Sequence, residues 1–215
     1  MKRILIPTDF SKNAMNAINY GLKLFENELC KFYILHACQQ ELYEKVVEVE
    51  QEHFSSYKKE VKEKAHVELD NLLATLKENA ITTKHLFKII SVSNILVDEV
   101  DTIVEEKNID LVIMGTKGNT NCNKLTFGSH TLQVLKYIKC PVLAIPEGYT
   151  FKIPKRIVLS TDYFKPYQER ELDFLGELAS VFQSQIEVVY ISETKKLSSK
   201  EERNKQIINE KLKNN

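Results

Sequence analysis

The chain has 215 residues, 43% hydrophobic and 28% charged, with 30 Lys+Arg against 30 Asp+Glu and a formal net charge of +0. That balance fits a soluble globular protein and gives no support to a nucleic-acid or membrane-surface partner. No apolar run approaches the roughly 18–20 residues of a membrane span, and the length allows one large domain or one and a half small ones.

Ile4, Leu5 and Ile6 predict a first strand. Pro7-Thr8-Asp9-Phe10-Ser11 is the loop after it, with Ser11 as helix N-cap. Because the N-terminus enters this strand directly, no signal peptide is expected. Ala14, Ala17, Ile18, Gly21, Leu22 and Phe25 recur at helical spacing and predict the first helix. Phe32 to Ala37 is a second strand. From Glu41 to Glu78 the chain is dense in Lys and Glu, with apolar residues from Val46 to Leu76. It reads as a long amphipathic helix, broken near Ser55-Ser56, whose charges form a solvated face.

His85 to Ile90 is a third strand. Ser93 or Asn94 can cap a third helix built on Ile95, Leu96, Val100, Ile103 and Val104. Leu111 to Met114 is a fourth strand. A fourth helix, Ser129 to Ile138, takes its apolar face from Leu132, Leu135, Tyr137 and Ile138, and Val142 to Ile145 is a fifth strand. Nearly all-apolar strands alternating with helices predict an α/β fold with a parallel, doubly wound sheet covered on both faces.

After a linker, Arg156-Ile-Val-Leu-Ser-Thr-Asp162-Tyr-Phe164 echoes Arg3-Ile-Leu-Ile-Pro-Thr-Asp9-Phe10. A helix on Leu172, Leu175, Leu178, Ala179 and Phe182 follows, then a strand at Ile186–Ile191 and a polar helix at Ser198–Lys213. The expected organisation is a domain over 1–147 and a partial second repeat over 155–215. A lone piece of about 60 residues buries little apolar surface, so it is expected to dock on something. Cys30, Cys38, Cys122 and Cys140 show neither C-x-x-C nor zinc spacing, and His53, His66 and His85 no metal spacing. The cysteines read as reduced thiols in a cytoplasmic protein, Cys30, Cys38 and Cys140 packing as small hydrophobes.

The functional signal lies where the fourth strand meets Gly115 and Gly118, followed by Gly128-Ser129 at a helix start. Free backbone N–H groups and the positive end of a helix favour an anion such as phosphate. The spacing Gly-x2-Gly-x9-Gly-Ser is neither a Walker loop nor the Rossmann Gly-x-Gly-x-x-Gly. It resembles the signature of the universal stress protein family, in its nucleotide-binding branch. Arg3 to Ser11, Leu35-His36-Ala37 and Cys140 to Pro146 resemble that family's first, second and fifth strands. The likeness spans about 1–147 and begins again near Lys155.

The resemblance implies a five-stranded, adenine nucleotide alpha hydrolase-like sheet of order 3-2-1-4-5, with the crevice between strands one and four. It implies that Asp9 meets a ribose hydroxyl, that the Ala37 backbone meets adenine, and that Pro7 and Thr8 line the base pocket. Met114 and Gly115 would flank the ribose. Gly118, Gly128, Ser129 and the His130 amide would hold phosphates, with Lys117 and Lys124 within reach of them or in water. The implied ligand is ATP, with Mg²⁺ or Mn²⁺ held mainly through its phosphates, since no acidic cage is visible. The implied function is a stress or regulatory protein whose nucleotide state controls assembly or partner binding. Such domains would form homo-oligomers through the fifth-strand edge, Pro141 to Pro146, or, as in tandem members, the second repeat would take that place internally.

The residues also admit plainer roles: Asp9 and Ser129 as helix caps, and Pro7, Thr8 and Ala37 as strand-end packing. A catalytic His130 lacks a carboxylate in sequence to orient it. A nucleotide-independent interaction module and a slow ATPase are alternatives; the Ser-Gly-Gly-x-Asp-Ser loop of adenylating ligases is absent. Two positions depart from the family pattern: Asn121 where a glycine is usual, and Ser91-Val92-Ser93 in place of a Gly-x-Pro-like turn.

Overall fold

A computed structural model describes residues 1–39, 51–116, 128–190 and 196–213, with backbone alone for 51–55. The chain forms two compact units, Met1–Phe151 and Lys152–Asn215.

The first unit runs β1 (Lys2–Pro7), α1 (Lys12–Leu24), β2 (Cys30–Ala37), α2 (Gln51–Glu78), β3 (His85–Val92), α3 (Leu96–Lys107), β4 (Leu111–Gly115), α4 (Ser129–Tyr137) and β5 (Val142–Ile145). The strands make one sheet of order β3-β2-β1-β4-β5, all pairs parallel. Ile4, Leu5 and Ile6 are wholly buried, as are Phe32, Ile34 and Leu35, because helices cover both faces. Alternation along each strand divides the core. Leu5, Leu35, Val112 and Met114 pack with Val100, Val104, Val134 and Ile138 of the α3–α4 layer. Ile6, Phe32 and Ile113 face α1, whose Gly21 lies so close that an added Cβ would come 2.8 Å from Ile113 Cδ1.

α2 packs on β2 and β3 through Val61, Ala65, Leu69, Leu72 and Leu76, an i, i+4 and i+3 stripe. It runs unbroken through Ser55 and Ser56, against the expected interruption. Serine costs a helix only about 0.5 kcal/mol, so two in succession do not stop it. The expected stretch 41–50 lies outside the described residues.

Two other helix starts and one helix face differ from expectation. α3 is capped by neither Ser93 nor Asn94. Its N-cap is Ile95, with no side-chain cap, while the Asn94 amide donates to Glu99 Oε1 at 2.5 Å. α4 begins after Gly128 rather than at a Ser129 cap; Gly128 is the N-cap, at φ −57° and ψ 149°. Its inner face is Thr131, Val134 and Ile138, whereas Leu132, Leu135 and Tyr137 are exposed. The helix is too short to turn every apolar residue inward, and the inward stripe is fixed by Thr131, which has a bond to make.

The start of β4 is tied to the start of β1 at the amino edge of the sheet. Asp110 Oδ2 accepts from Arg3 N at 2.8 Å, Asp110 N donates to Arg3 O at 2.8 Å, and Arg3 Nη1 donates to Lys107 O at 3.2 Å. β1 and β4 then pair Ile4 with Leu111 and Leu5 with Val112.

The second unit contains β6 (Arg156–Thr161), α5 (Glu169–Phe182), β7 (Gln185–Tyr190) and α6 (Ser199–Leu212), with β6 and β7 paired in parallel. It is a partial repeat of the first unit, with a small two-stranded sheet. Its core is Leu159, Tyr163, Leu172, Ile208 and Leu212. The polar α6 is anchored by Ile208 and Leu212 and by buried Asn204, whose amide donates to Tyr163 O at 2.8 Å. Ser198 and Glu201 form its capping box. Ile191 lies outside the described residues.

Candidate functional site

The loop after β1 is built by its own side chains. Thr8 N donates to Leu35 O of β2 at 2.8 Å, and Thr8 Oγ1 accepts from Phe10 N at 3.0 Å. Asp9 Oδ1 accepts from Ser11 N at 3.1 Å. Ser11 Oγ then accepts from Ala14 N at 3.1 Å, so Ser11, not Asp9, caps α1. Phe10 takes φ 60°, left-handed and uncommon for an aromatic residue. Its ring lies on His36, with centroids 4.6 Å apart, and His36 Nδ1 is 2.8 Å from Thr8 O. The net result leaves Pro7 and Thr8 buried and Asp9 exposed at the carboxyl edge.

Met114 and Gly115 end β4 beside this loop. Continuing the β1–β4 register places Pro7 next to Met114. The Met114 side chain is buried in the core, so only its backbone reaches the edge. Gly115 meets α1 directly: an added Cβ would lie 2.7 Å from Asn13 Nδ2 and 3.0 Å from Asn13 O. The absence of a Cβ there is thus demanded by helix packing, a reason not anticipated from sequence. Asn13 is itself buried.

The helix start is fastened to the same strand end. Thr131 Oγ1 donates to Gly115 O at 2.8 Å, Thr116 N donates to Ile145 O at 2.9 Å, and Gly128 N donates to Thr116 O. Leu132 N is the first to bond back along the helix, to Gly128 O at 3.0 Å. The amides of Ser129, His130 and Thr131 therefore have no acceptor within the helix. Ser129 and His130 are exposed. This is an anion-receptive end, with the helix dipole adding its positive pole.

The structure thus gathers Pro7, Thr8, Asp9, Met114, Gly115, Gly128, Ser129 and His130 along one edge, with Ala37 half-buried at the end of β2. Gly118, Asn121, Cys122, Lys117 and Lys124 lie outside the described residues. Sequence reasoning missed Asn13, Thr131 and the Phe10–His36 pair. The signal for Thr131 was its place one turn into a helix that follows a glycine. Cys30, Cys38 and Cys140 are reduced and buried. Among the described residues no group of three or more His, Cys, Asp or Glu could hold a metal ion, and no helix is long and apolar enough to cross a membrane.

An open parallel sheet, its order reversing between β1 and β4, with a helix start at that reversal, defines an α/β protein of the doubly wound class, a class whose ligands collect outside the carboxyl ends of the strands at the switch point. The model of the universal stress protein family matches residues 1–146, and the chain belongs to that family. Universal stress protein MJ0577 of Methanocaldococcus jannaschii is 28% identical over 153 residues, covering 67% of this chain and 94% of that protein. A solved structure of MJ0577 superposes with a TM-score of 0.58 at 27% identity, over 69% of this chain and 98% of that one. A universal stress protein structure from Archaeoglobus fulgidus covers 97% of this chain and 72% of its own, with a TM-score of 0.66 at 20% identity, a likeness of fold.

Proposed function

We propose that this chain binds an adenine nucleotide, ATP first among them, at the carboxyl edge between β1 and β4. The observation that carries the reading is the fastening of the α4 start to Gly115 through Thr131, beside the Thr8–Ser11 loop. Family membership supports it. The fit is chemical: first-turn amides without an acceptor in the helix suit phosphate oxygens, and an exposed carboxylate suits a ribose hydroxyl. Asp9 would accept from the ribose. The Ala37 backbone would meet the base, with Pro7 and Thr8 beside it. Met114 and Gly115 would contribute backbone to the ribose, and Gly118, Gly128, Ser129 and His130 amides to the phosphates. A divalent cation would be held mainly by the phosphates.

The nucleotide would act as a signal for stress or regulation in the cytoplasm, through assembly into homo-oligomers or through a partner. Exposed Leu132, Leu135 and Tyr137 lie on the helix that would sense the phosphates. The domain would span 1–147, with 155–215 as its partial copy. Calorimetric titration of the full chain with ATP tests the reading. Saturable binding that weakens about tenfold in Asp9→Ala is expected; no heat at millimolar ATP overturns it.

A further inference from the structure

We infer that His36 is a positioning residue for the base. It takes the Thr8 carbonyl with its own ring, ends the β1–β2 ladder one bond early, and so leaves the Ala37 amide open to an acceptor nitrogen of a purine. The ligand in this inference rests on the nucleotide reading; the geometry lies in the two strand ends themselves.

In a parallel ladder the bonds between two strands are evenly spaced and alternate in direction. The last regular one here runs from Thr8 N to Leu35 O at 2.8 Å. The next would run back from Ala37 N to Thr8 O. Among the described residues it is not made, and the pairing stops at Pro7 and Leu35. Thr8 O lies instead 2.8 Å from His36 Nδ1. A carbonyl only accepts, so Nδ1 carries the proton and donates. His36 is 4% exposed and its ring lies on Phe10 at 4.6 Å, which holds the donor in place. The amides of β2 alternate between its two neighbours. Cys38 N donates to Val92 O of β3 at 2.9 Å, so Ala37 N faces the loop after β1.

The second unit supplies the contrast. Thr161 and Tyr190 stand there in the places of Thr8 and His36, and the pairing runs one step further, to Thr161 and Tyr190. Tyrosine has no donor at the Nδ1 position; its polar atom is at the far end of the ring. Tyr190 stacks on Tyr163 at 5.2 Å much as His36 lies on Phe10. Ring packing is thus common to both copies. The early end of the ladder belongs to the copy that carries the helix start at Gly128. An open N–H suits the N1 acceptor of adenine and opposes guanine, which bears a hydrogen there. A site built on such a donor rejects the analogue that cannot accept.

Amide hydrogen exchange of the nucleotide-free full chain, with calorimetry against ATP and GTP, tests the inference on the parent, His36→Phe and His36→Asn. His36→Phe keeps a ring against Phe10 and removes the donor; His36→Asn keeps a side-chain N–H near the Nδ1 position. The Ala37 amide should exchange about tenfold faster than that of Cys38 in the parent and in His36→Asn. In His36→Phe the ladder closes and the two rates converge. ATP affinity should fall about tenfold in His36→Phe, with a narrower preference over GTP, and return in His36→Asn. A slow Ala37 amide in the parent or in His36→Asn, a fast one in folded His36→Phe, or ATP affinity unchanged in His36→Phe would each overturn the inference. A parent that gives no heat with ATP removes the nucleotide reading alone, and the exchange contrast still decides what His36 does.

Discussion

Phe10 and Tyr163 occupy the same point in two copies of one loop, both in left-handed backbone, at φ 60° and 58°. Thr8 Oγ1 accepts from Phe10 N at 3.0 Å, and Thr161 Oγ1 accepts from Tyr163 N at 3.0 Å. Asp9 and Asp162 each accept from the amide two residues on, at 3.1 and 2.8 Å. Each ring has a partner at the matching place on the next strand: His36 at 4.6 Å for Phe10, and Tyr190 at 5.2 Å for Tyr163. A left-handed non-glycine residue costs about 1–2 kcal/mol, held here by these bonds and ring contacts. Glycine relieves that strain and removes the ring. Tyr163→Gly deletes a buried ring from a small core and is expected to destabilise the second unit by about 2 kcal/mol or more. Phe10→Gly, whose ring is half-buried, should lose less. Urea unfolding of both variants decides it; a more stable Tyr163→Gly would show that strain outweighs burial.

Gly115→Ala pushes a methyl into Asn13, whose Nδ2 would lie at 2.7 Å. Overpacking of this kind costs about 1–3 kcal/mol. The Asn13→Ala/Gly115→Ala double variant should recover part of the loss, because the Asn13 backbone oxygen remains at 3.0 Å. Thermal melts of the single and double variants measure the recovery; none at all would place the clash elsewhere.

Thr131→Val keeps the shape of the side chain and removes the donor to Gly115 O. The stranded carbonyl and the loosened helix start should cost about 1 kcal/mol. ATP affinity should fall with it, while Thr131→Ser retains both. Paired melting and calorimetry on the two variants check this, and an unchanged ATP affinity in Thr131→Val would detach the helix start from binding.

Burial, with help from Glu28, pushes the Cys30 thiol up to about 12 from its ordinary 9.0. For a pKa raised on folding, the stabilisation is full below 9.0 and is lost as pH rises toward about 12. The melting temperature should therefore decline over that alkaline window, less steeply in Cys30→Ala. At pH 8 the native thiol should resist alkylation and react only after unfolding.

At α6, bonds from the Ser198 side chain and backbone hold the Glu201 carboxyl below its ordinary 4.5. For a depressed acid the contribution is present above that value and lost as pH falls through the lower folded one. Helical circular dichroism should fray at acid pH in the parent, and this component should vanish in Glu201→Gln.

Much of the framework was legible because its signals are local. Ser11 was readable as a cap, and Ile4 to Ile6 as a strand buried on both sides. The echo of Thr8-Asp9 in Thr161-Asp162 announced a repeat that the structure carries down to backbone angles. The strand order came through family resemblance, since periodicity says nothing of which strands are neighbours. What was illegible depends on partners distant in sequence. Leu132 and Leu135 read as an inner face, but Thr131 turns that helix by reaching Gly115. Gly115 was expected beside a ribose, and nothing local told that its missing Cβ makes way for Asn13 of α1. Asn94 read as a cap, but its amide is engaged with Glu99.

The clasp between Arg3 and Asp110 sits at the amino rim of the sheet, farthest from the carboxyl edge, yet it decides how that edge is aligned. Parallel strands slide in steps of one residue, each inverting which side chains face which helix layer. By pinning the two strands where they begin, Asp110 sets how far each has travelled when it ends. Damage there would surface as misalignment at the opposite rim, with every side chain of that rim intact and none at its proper spacing.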